Sequence, residues 1–99
     1  MRNYETLYII KPDVEEEQTA ALVERFKQIV EGNGGEVTKV DQWGKRRLAY
    51  EVDKYHDGFY VLMNFKSEPA AAQELERIFK ITDEMLRYLV VRLDEEKAS

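Results

Sequence analysis

The sequence predicts an α+β domain in which two helices cover one face of a four-stranded antiparallel sheet. Segments rich in β-branched and aromatic residues alternate with segments whose apolar residues recur at helical spacing, and the resulting order is β-α-β-β-α-β. Because each crossover is right-handed, both helices are expected on the same side of the sheet, with strand order 4-1-3-2. This arrangement is the ferredoxin-like architecture.

The first strand and the first helix account for residues 3–31. The run from Asn3 to Ile10 is apolar on both alternating faces, so we expect a central strand, which Pro12 ends. Asp13 is in position to cap the following helix, with Glu16 as its capping-box partner. The apolar residues at helical spacing are Leu22, Phe26, Ile29 and Val30. The glycine-rich run at 32–35 then ends this helix.

A long edge strand is expected from Glu36 to Val52. Val37 and Leu48 are both apolar enough to be buried, although their odd separation places them on opposite faces of a regular ladder. We therefore predict a bend or bulge near Gly44, where a residue without a side chain tolerates unusual backbone angles.

The second half of the chain supplies strand, helix and strand. Asp53 to Gly58 provides polar turn residues and Phe59 to Lys66 the third strand, so the second and third strands form a hairpin. Ser67 is predicted to cap the second helix, with Pro69 in its first turn. The inner stripe of this helix consists of Leu75, Ile78 and Phe79. Leu86 to Leu93 forms the fourth strand, which gives one domain over residues 1–93 and a short acidic tail at 94–99.

Alternation along the strands divides their side chains between two faces. The side chains expected to face the helices are Tyr4, Thr6, Tyr8, Phe59, Val61, Met63, Phe65, Tyr88 and Val90. Those expected on the uncovered face are Leu7, Ile9, Tyr60, Leu62, Leu89 and Val91. An uncovered sheet face with this many apolar and aromatic side chains predicts a protein partner that covers part of it.

The charge of the chain is unevenly distributed. The net charge is −5, yet residues 13–31 and the tail together carry −6, so the remaining residues sum to +1 and are free to form local basic patches. The absence of cysteine excludes disulfides and thiol chemistry and is compatible with a reducing cytoplasm. The apolar run from Leu7 to Ile10 is too short for a signal peptide, and we expect no membrane partner.

Catalysis finds little support in the sequence. His56 is the only histidine, has no neighbouring serine, cysteine or histidine, and is interpreted as a solvated turn residue. The acids from Glu15 to Glu17 fan outward from the first helical turn and favour its dipole. We therefore predict no catalytic residues, no metal site and no cofactor.

Two groups of cations are candidates for binding. Within V-D-Q-W-G-K-R-R-L-A-Y, from Val40 to Tyr50, an indole lies beside Lys45, Arg46 and Arg47, a combination that contacts phosphates, bases or carboxylates. A charged edge that blocks aggregation, or salt bridges to Glu24 of the first helix, would equally explain these cations. The second group, expected to form a compact phosphate-binding corner, comprises Arg2, Asn3, Lys80, Arg87 and Arg92.

The chain resembles the bacterial small-subunit ribosomal protein six family over essentially its whole length. The resemblance is carried by W-G-K-R-R-L-A-Y, by M-R-N-Y-E at the amino terminus and by M-L-R-Y-L-V-V-R near the end. It implies a structural protein of the ribosome, located in the cytoplasm, that forms a heterodimer with small-subunit ribosomal protein eighteen and binds the central domain of the small-subunit ribosomal RNA.

The resemblance and the residue patterns together assign two surfaces. We expect the protein partner to contact Leu7, Ile9, Trp43, Tyr60, Leu62, Leu89 and Val91. We expect the RNA to contact Arg2, Asn3, Lys80, Arg87 and Arg92, with Arg46 and Arg47 serving either ligand. The free chain is predicted to be a monomer. The alternative is a ferredoxin-like regulatory or oligomerisation module that self-associates through its uncovered sheet face, and an enzyme ranks third.

Overall fold

The structure, a computed structural model, describes residues 1–93 and has the predicted order of elements. The elements are β1 (Arg2–Ile10), α1 (Glu16–Gly32), β2 (Glu36–Val52), β3 (Tyr55–Ser67), α2 (Pro69–Ile81) and β4 (Met85–Arg92). The strands form one sheet in the order β2-β3-β1-β4, in which every neighbouring pair is antiparallel. The predicted fold class and strand order are confirmed. The predicted tail at 94–99 lies outside the described residues.

An interlocked set of aromatic rings holds the two helices against the sheet. Tyr8 of β1 meets Phe26 of α1 edge-on at 5.1 Å and Phe79 of α2 at 5.3 Å, and the two phenylalanine rings lie 4.9 Å apart. All three side chains are fully buried, and the two edge-to-face pairs, Tyr8 with Phe26 and Phe26 with Phe79, contribute beyond the area they bury. Both helices therefore share one contact point on the central strand.

The predicted division of the strands into two faces is confirmed. Tyr4, Thr6 and Tyr8 are buried beneath the helices, and their partners on β3 are Phe65, Met63 and Val61, also buried. The intervening positions face away from the helices, so Leu7 lies between Leu62 of β3 and Leu89 of β4. We call the side of the sheet that the helices leave uncovered the open face.

The predicted irregularity of β2 is also confirmed. The pairing of β2 with β3 shifts register between Gln42 and Gly44, and Gly44 has a φ of +82°. That backbone conformation favours glycine, since a side chain there would be strained. A second shift lies between Val37 and Lys39. With both shifts, Val37 faces the helices opposite Phe65 and Leu48 lies on the open face against Gly58, so the two residues are on opposite faces and each is partly buried there.

Both predicted helix caps are wrong. The residue at the N-cap position is Glu15 for α1 and Glu68 for α2, and neither side chain makes a capping hydrogen bond. Asp13 instead accepts a hydrogen bond from the Tyr55 hydroxyl at 3.0 Å, and the Ser67 hydroxyl donates to the carbonyl oxygen of Glu68 at 3.0 Å. Long-range contact and backbone geometry have overridden the local capping signals.

The predicted turn from Asp53 to Gly58 is too long. The hairpin turns through Asp53 and Lys54 alone, both with positive φ, and β3 already begins at Tyr55. Positive φ at both central residues matches the right-handed twist of a two-residue hairpin, which explains why so short a turn suffices. His56 is consequently an exposed strand residue and not a turn residue.

The Tyr8 hydroxyl gives a first testable prediction. It is buried, has no hydrogen-bond partner among residues 1–93, and burial raises its pKa above the ordinary value. Tyr8→Phe removes a desolvated polar group and keeps the ring contacts, so we expect the free energy of unfolding to rise by about 1 kcal/mol in a urea titration. Tyr60→Phe, on the open face, is the control and should change it by less than about 0.5 kcal/mol. A less stable Tyr8→Phe chain would contradict this account.

Gly58 gives a second prediction, because a Cβ at this position would overlap the Cγ2 atom of Ile9. Gly58→Ala should therefore displace Ile9 and lower the free energy of unfolding by about 1 to 3 kcal/mol, the usual cost of overpacking. Gly32, at the end of α1, has open space around it, so Gly32→Ala is a matched control that should be neutral or stabilising. Equal effects of the two substitutions would show that Ile9 moves aside without cost.

Candidate interaction surface

The centre of the open face is a row of leucines that crosses three strands. Leu89, Leu7 and Leu62 are direct cross-strand partners, and Asp41 of β2 continues the row at the sheet edge. Leu89 is 59% exposed, a large value for a leucine that sits within a strand. Val91 lies in the next row and is partly buried beside Glu5. The leucine row is therefore an apolar strip that the fold leaves uncovered.

A stack of side chains around Trp43 borders this row at the β2 edge. The indole lies parallel to the Tyr60 ring, with centroids 6.2 Å apart and planes inclined by 11°, and its Nε1 donates to the Asp41 carboxylate at 3.2 Å. The Arg46 guanidinium lies 5.1 Å from the indole centroid. Trp43 remains 37% exposed, so this stack presents an ordered aromatic and cationic edge to a ligand.

The tip of the β2–β3 hairpin bends over the other end of the open face. Tyr50 reaches β4, where the Arg87 guanidinium lies 5.2 Å from its ring centroid and donates a hydrogen bond to its hydroxyl. Leu48 and Ile9 both lie against Gly58. Leu48 and Tyr50 were not predicted to belong to the interaction surface. The signal that could have identified them is their spacing: they follow Arg46 at intervals of two residues, and every second residue of a strand lies on the same face.

Six of the seven residues predicted to contact a protein partner offer surface on the open face. They are Leu7, Trp43, Tyr60, Leu62, Leu89 and Val91, each partly or fully exposed. Ile9 lies on the same face, but only 8% of it is exposed, because its side chain fills the space above Gly58 next to Leu48. Ile9 therefore packs beneath the exposed side chains and offers little accessible area to a ligand.

The residues predicted to bind RNA do not form one compact corner. Arg2 and Arg92 do lie together, since Arg92 pairs with Tyr4 two residues along β1, and Asn3 projects to the opposite face beside Arg2. Arg87 pairs with Ile9 at the other end of β4, roughly 16 Å away at the usual rise per strand residue. Lys80 lies near the end of α2, toward the same end as Arg87. The structure thus separates Arg2, Asn3 and Arg92 from Lys80 and Arg87.

The cations of β2 point in opposite directions. Arg46 pairs with Gly58 and belongs to the open face, whereas Arg47 pairs with Asp57 and belongs to the other side. No ion pair joins Lys45, Arg46 or Arg47 to α1 within residues 1–93, so the salt bridge considered with Glu24 is absent there. These three cations therefore keep their charge available at the surface.

The described residues contain neither a candidate metal site nor a helix that could span a membrane. No group of three or more histidine, cysteine, aspartate or glutamate side chains in residues 1–93 could hold a metal ion. Over the same residues, no helix is long and apolar enough to cross a membrane.

The fold and this surface define a ferredoxin-like α+β domain with an exposed apolar sheet face. The family model for ribosomal protein S6 matches residues 3–92. The chain is 59% identical over 96 residues to the small ribosomal subunit protein bS6 of Moorella thermoacetica, covering 97% of this chain and 98% of that relative. It is 60% identical over 95 residues to the bS6 protein of Desulforamulus reducens, covering 96% and 100%.

A solved structure agrees with these relatives. The crystal structure of 30S ribosomal protein S6 from Thermotoga maritima matches with a TM-score of 0.90 and 39% sequence identity, over 98% of this chain and 92% of that chain. The chain therefore belongs to the ribosomal protein S6 family, a family of the small ribosomal subunit, as its resemblance to that family predicted.

The hydrogen bond between Asp13 and Tyr55, the first residue of β3 after the hairpin turn, gives a prediction about the titration of Tyr55. The hydrogen bond to the Asp13 carboxylate raises the pKa of Tyr55 above its ordinary value of 10.0. A raised pKa in the folded state means that the stabilisation is complete below about pH 10 and is lost as pH rises through the folded-state pKa. In an ultraviolet titration, Asp13→Asn should shift the Tyr55 transition to lower pH, and Tyr55→Phe identifies that transition by removing it. Superimposable curves for the wild type and Asp13→Asn would rule out the contact.

Proposed function

We propose that this chain forms a heterodimer with small-subunit ribosomal protein eighteen, and that the heterodimer binds the central domain of the small-subunit ribosomal RNA in the cytoplasm. The observation that carries this proposal is the leucine row of the open face, Leu7, Leu62 and Leu89, which a soluble monomer gains nothing by exposing. The role is architectural. It includes no turnover and no cofactor.

The charge of the chain indicates why the two proteins act together. RNA binding draws its affinity from lysine and arginine side chains that release counterions, and a net charge of −5 opposes it. A basic partner docked on the open face supplies the missing charge and extends the local cations into one continuous surface. Alone, this chain should bind RNA weakly.

The cations at the end of the sheet where α2 begins are the best placed for RNA on this chain. Arg2 of the central strand β1 and Arg92 of the neighbouring edge strand β4 lie on the same face of the sheet, so one phosphate group can contact both, and Asn3 lies next to Arg2 on the other face. Arg47 points away from the open face and remains accessible when a partner covers that face. The RNA surface we propose therefore excludes the leucine row.

A second candidate function, self-association, draws on the same observation. The exposed leucines could pair with a second copy of the chain, in which case a dimer would form at micromolar concentration. Our proposal predicts a monomer for the free chain and a heterodimer when protein eighteen is added. Sedimentation of the free and mixed proteins separates the two functions.

A salt-dependent titration with a central-domain RNA fragment tests the proposal. We expect tight, salt-sensitive binding only when protein eighteen is present, because the composite surface alone carries enough cations. In the heterodimer, Arg2→Gln should weaken RNA binding and reduce the salt slope by about one. Arg25→Gln, on the exposed side of the acidic helix α1, is the matched control and should change neither. Tight RNA binding by this chain alone at physiological salt would refute the composite surface.

A further inference from the structure

Two arginines on the open face, Arg46 and Arg87, have the same local arrangement, which the sequence analysis did not predict. Each guanidinium is stacked on an aromatic ring, Arg46 at 5.1 Å from the Trp43 centroid and Arg87 at 5.2 Å from the Tyr50 centroid. Trp43 is held by its contacts with Tyr60 and Asp41, whereas Tyr50 and Arg87 hold each other through the hydrogen bond between them. Stacking of this kind covers the flat side of a guanidinium and leaves N–H groups at its edge to donate.

Neither of the two guanidinium groups pairs with a carboxylate among residues 1–93. An arginine that is already ordered loses less side-chain entropy when it binds an anion. An arginine that is ordered and makes no ion pair is therefore preorganised for anion binding. The open face carries two such arginines. Arg87 ends the row that contains Ile9 and Tyr60, immediately beside the leucine row, and Arg46 lies in the row after it.

We infer that Arg46 and Arg87 bind carboxylates of the protein partner, and that the partner segment on the open face is apolar at its centre and acidic at the end that meets these arginines. This inference rests on the proposed function and specifies the chemistry of its protein contact. It assigns Arg87 to the protein contact and not to RNA, and it assigns Arg46 to the same contact.

The charges on the rest of the face favour a protein over RNA as the ligand. Glu5 lies one row beyond the leucines, in a row that ends at Lys39 of β2, and Asp41 ends the leucine row itself, so beyond the two arginines the face carries charges of both signs. A phosphate backbone is anionic throughout and would be repelled by Glu5 and Asp41. A polypeptide can place carboxylates against the two arginines, side chains of either charge against Glu5, Asp41 and Lys39, and apolar side chains against the leucines.

The inference predicts an effect opposite in sign to that of general electrostatic attraction. This acidic chain attracts a basic partner at long range, so the loss of any one cation should leave their affinity unchanged or raise it slightly. The loss of a cation that pairs with a carboxylate in the interface should lower the affinity, chiefly through faster dissociation. Arg46 and Arg47 separate the two effects, because they are adjacent and carry the same charge but lie on opposite faces of β2.

The experiment measures heterodimer formation between this full chain and purified protein eighteen, by titration calorimetry and by the fluorescence of Trp43, the only tryptophan. We expect Arg46→Gln and Arg87→Gln each to raise the Kd of the heterodimer about tenfold or more, the usual loss for a charged hydrogen bond. Arg47→Gln should change the Kd by less than about twofold. Urea unfolding establishes that each variant is folded, and Arg87→Lys, which keeps the charge but not the planar fork, should still bind more weakly than the wild type.

Each other outcome overturns the inference in a recognisable way. If Arg46→Gln and Arg87→Gln bind protein eighteen as tightly as Arg47→Gln does, the arginines make no carboxylate contact, although the proposed heterodimer stands. If heterodimer formation is unchanged but the heterodimer binds the RNA fragment more weakly, the arginines contact RNA. If the wild-type chain does not bind protein eighteen at all, the proposed function fails and the inference fails with it.

Discussion

The packing of both helices onto one face of the sheet is the constraint on which the rest of this structure depends. Tyr8 of β1 meets Phe26 and Phe79, so the two helices are held by one aromatic cluster on this central strand. A chain of this length has enough apolar surface for one core and one layer of helices. The opposite face is left without cover, and the leucines that alternation places there are exposed as a direct result.

The bulge at Gly44 converts that uncovered face into a shaped surface. Without this register shift, each residue of β2 after Gly44 would face the opposite side of the sheet. The register shift between Gln42 and Gly44 instead brings Trp43 into contact with Tyr60 and sends the hairpin tip across the sheet, until Tyr50 meets Arg87 on β4. Bulges near functional surfaces are commonly used to re-aim side chains, and here a single glycine determines which cations share a face with the leucines.

The distribution of charge relates this shape to the ribosomal role. The acidity of the chain belongs largely to α1 and to the last residues, while the sheet carries cations at its edge and at its ends. Arginines that stack on aromatic rings beside apolar side chains are suited to a protein ligand, whereas Arg2 and Arg92, at the opposite end of β1 and β4 from Arg87, are suited to phosphate. The proposed protein contact and the proposed RNA contact thus lie on separate parts of the molecule.

The sequence by itself determined the order of the elements, the side of the sheet that carries the helices, the division of strand residues between the faces and the irregularity at Gly44. These features follow from local periodicity and from the handedness of crossovers, which do not depend on side-chain contacts between distant parts of the chain. Only the tertiary structure decided the length of the hairpin turn, the hydrogen-bond partner of Asp13, the burial of Ile9 and the contact between Arg87 and Tyr50. Asp13 and Tyr55 are 42 positions apart and Tyr50 and Arg87 are 37 apart, and no local pattern records which distant side chain will offer the better partner once the sheet has formed.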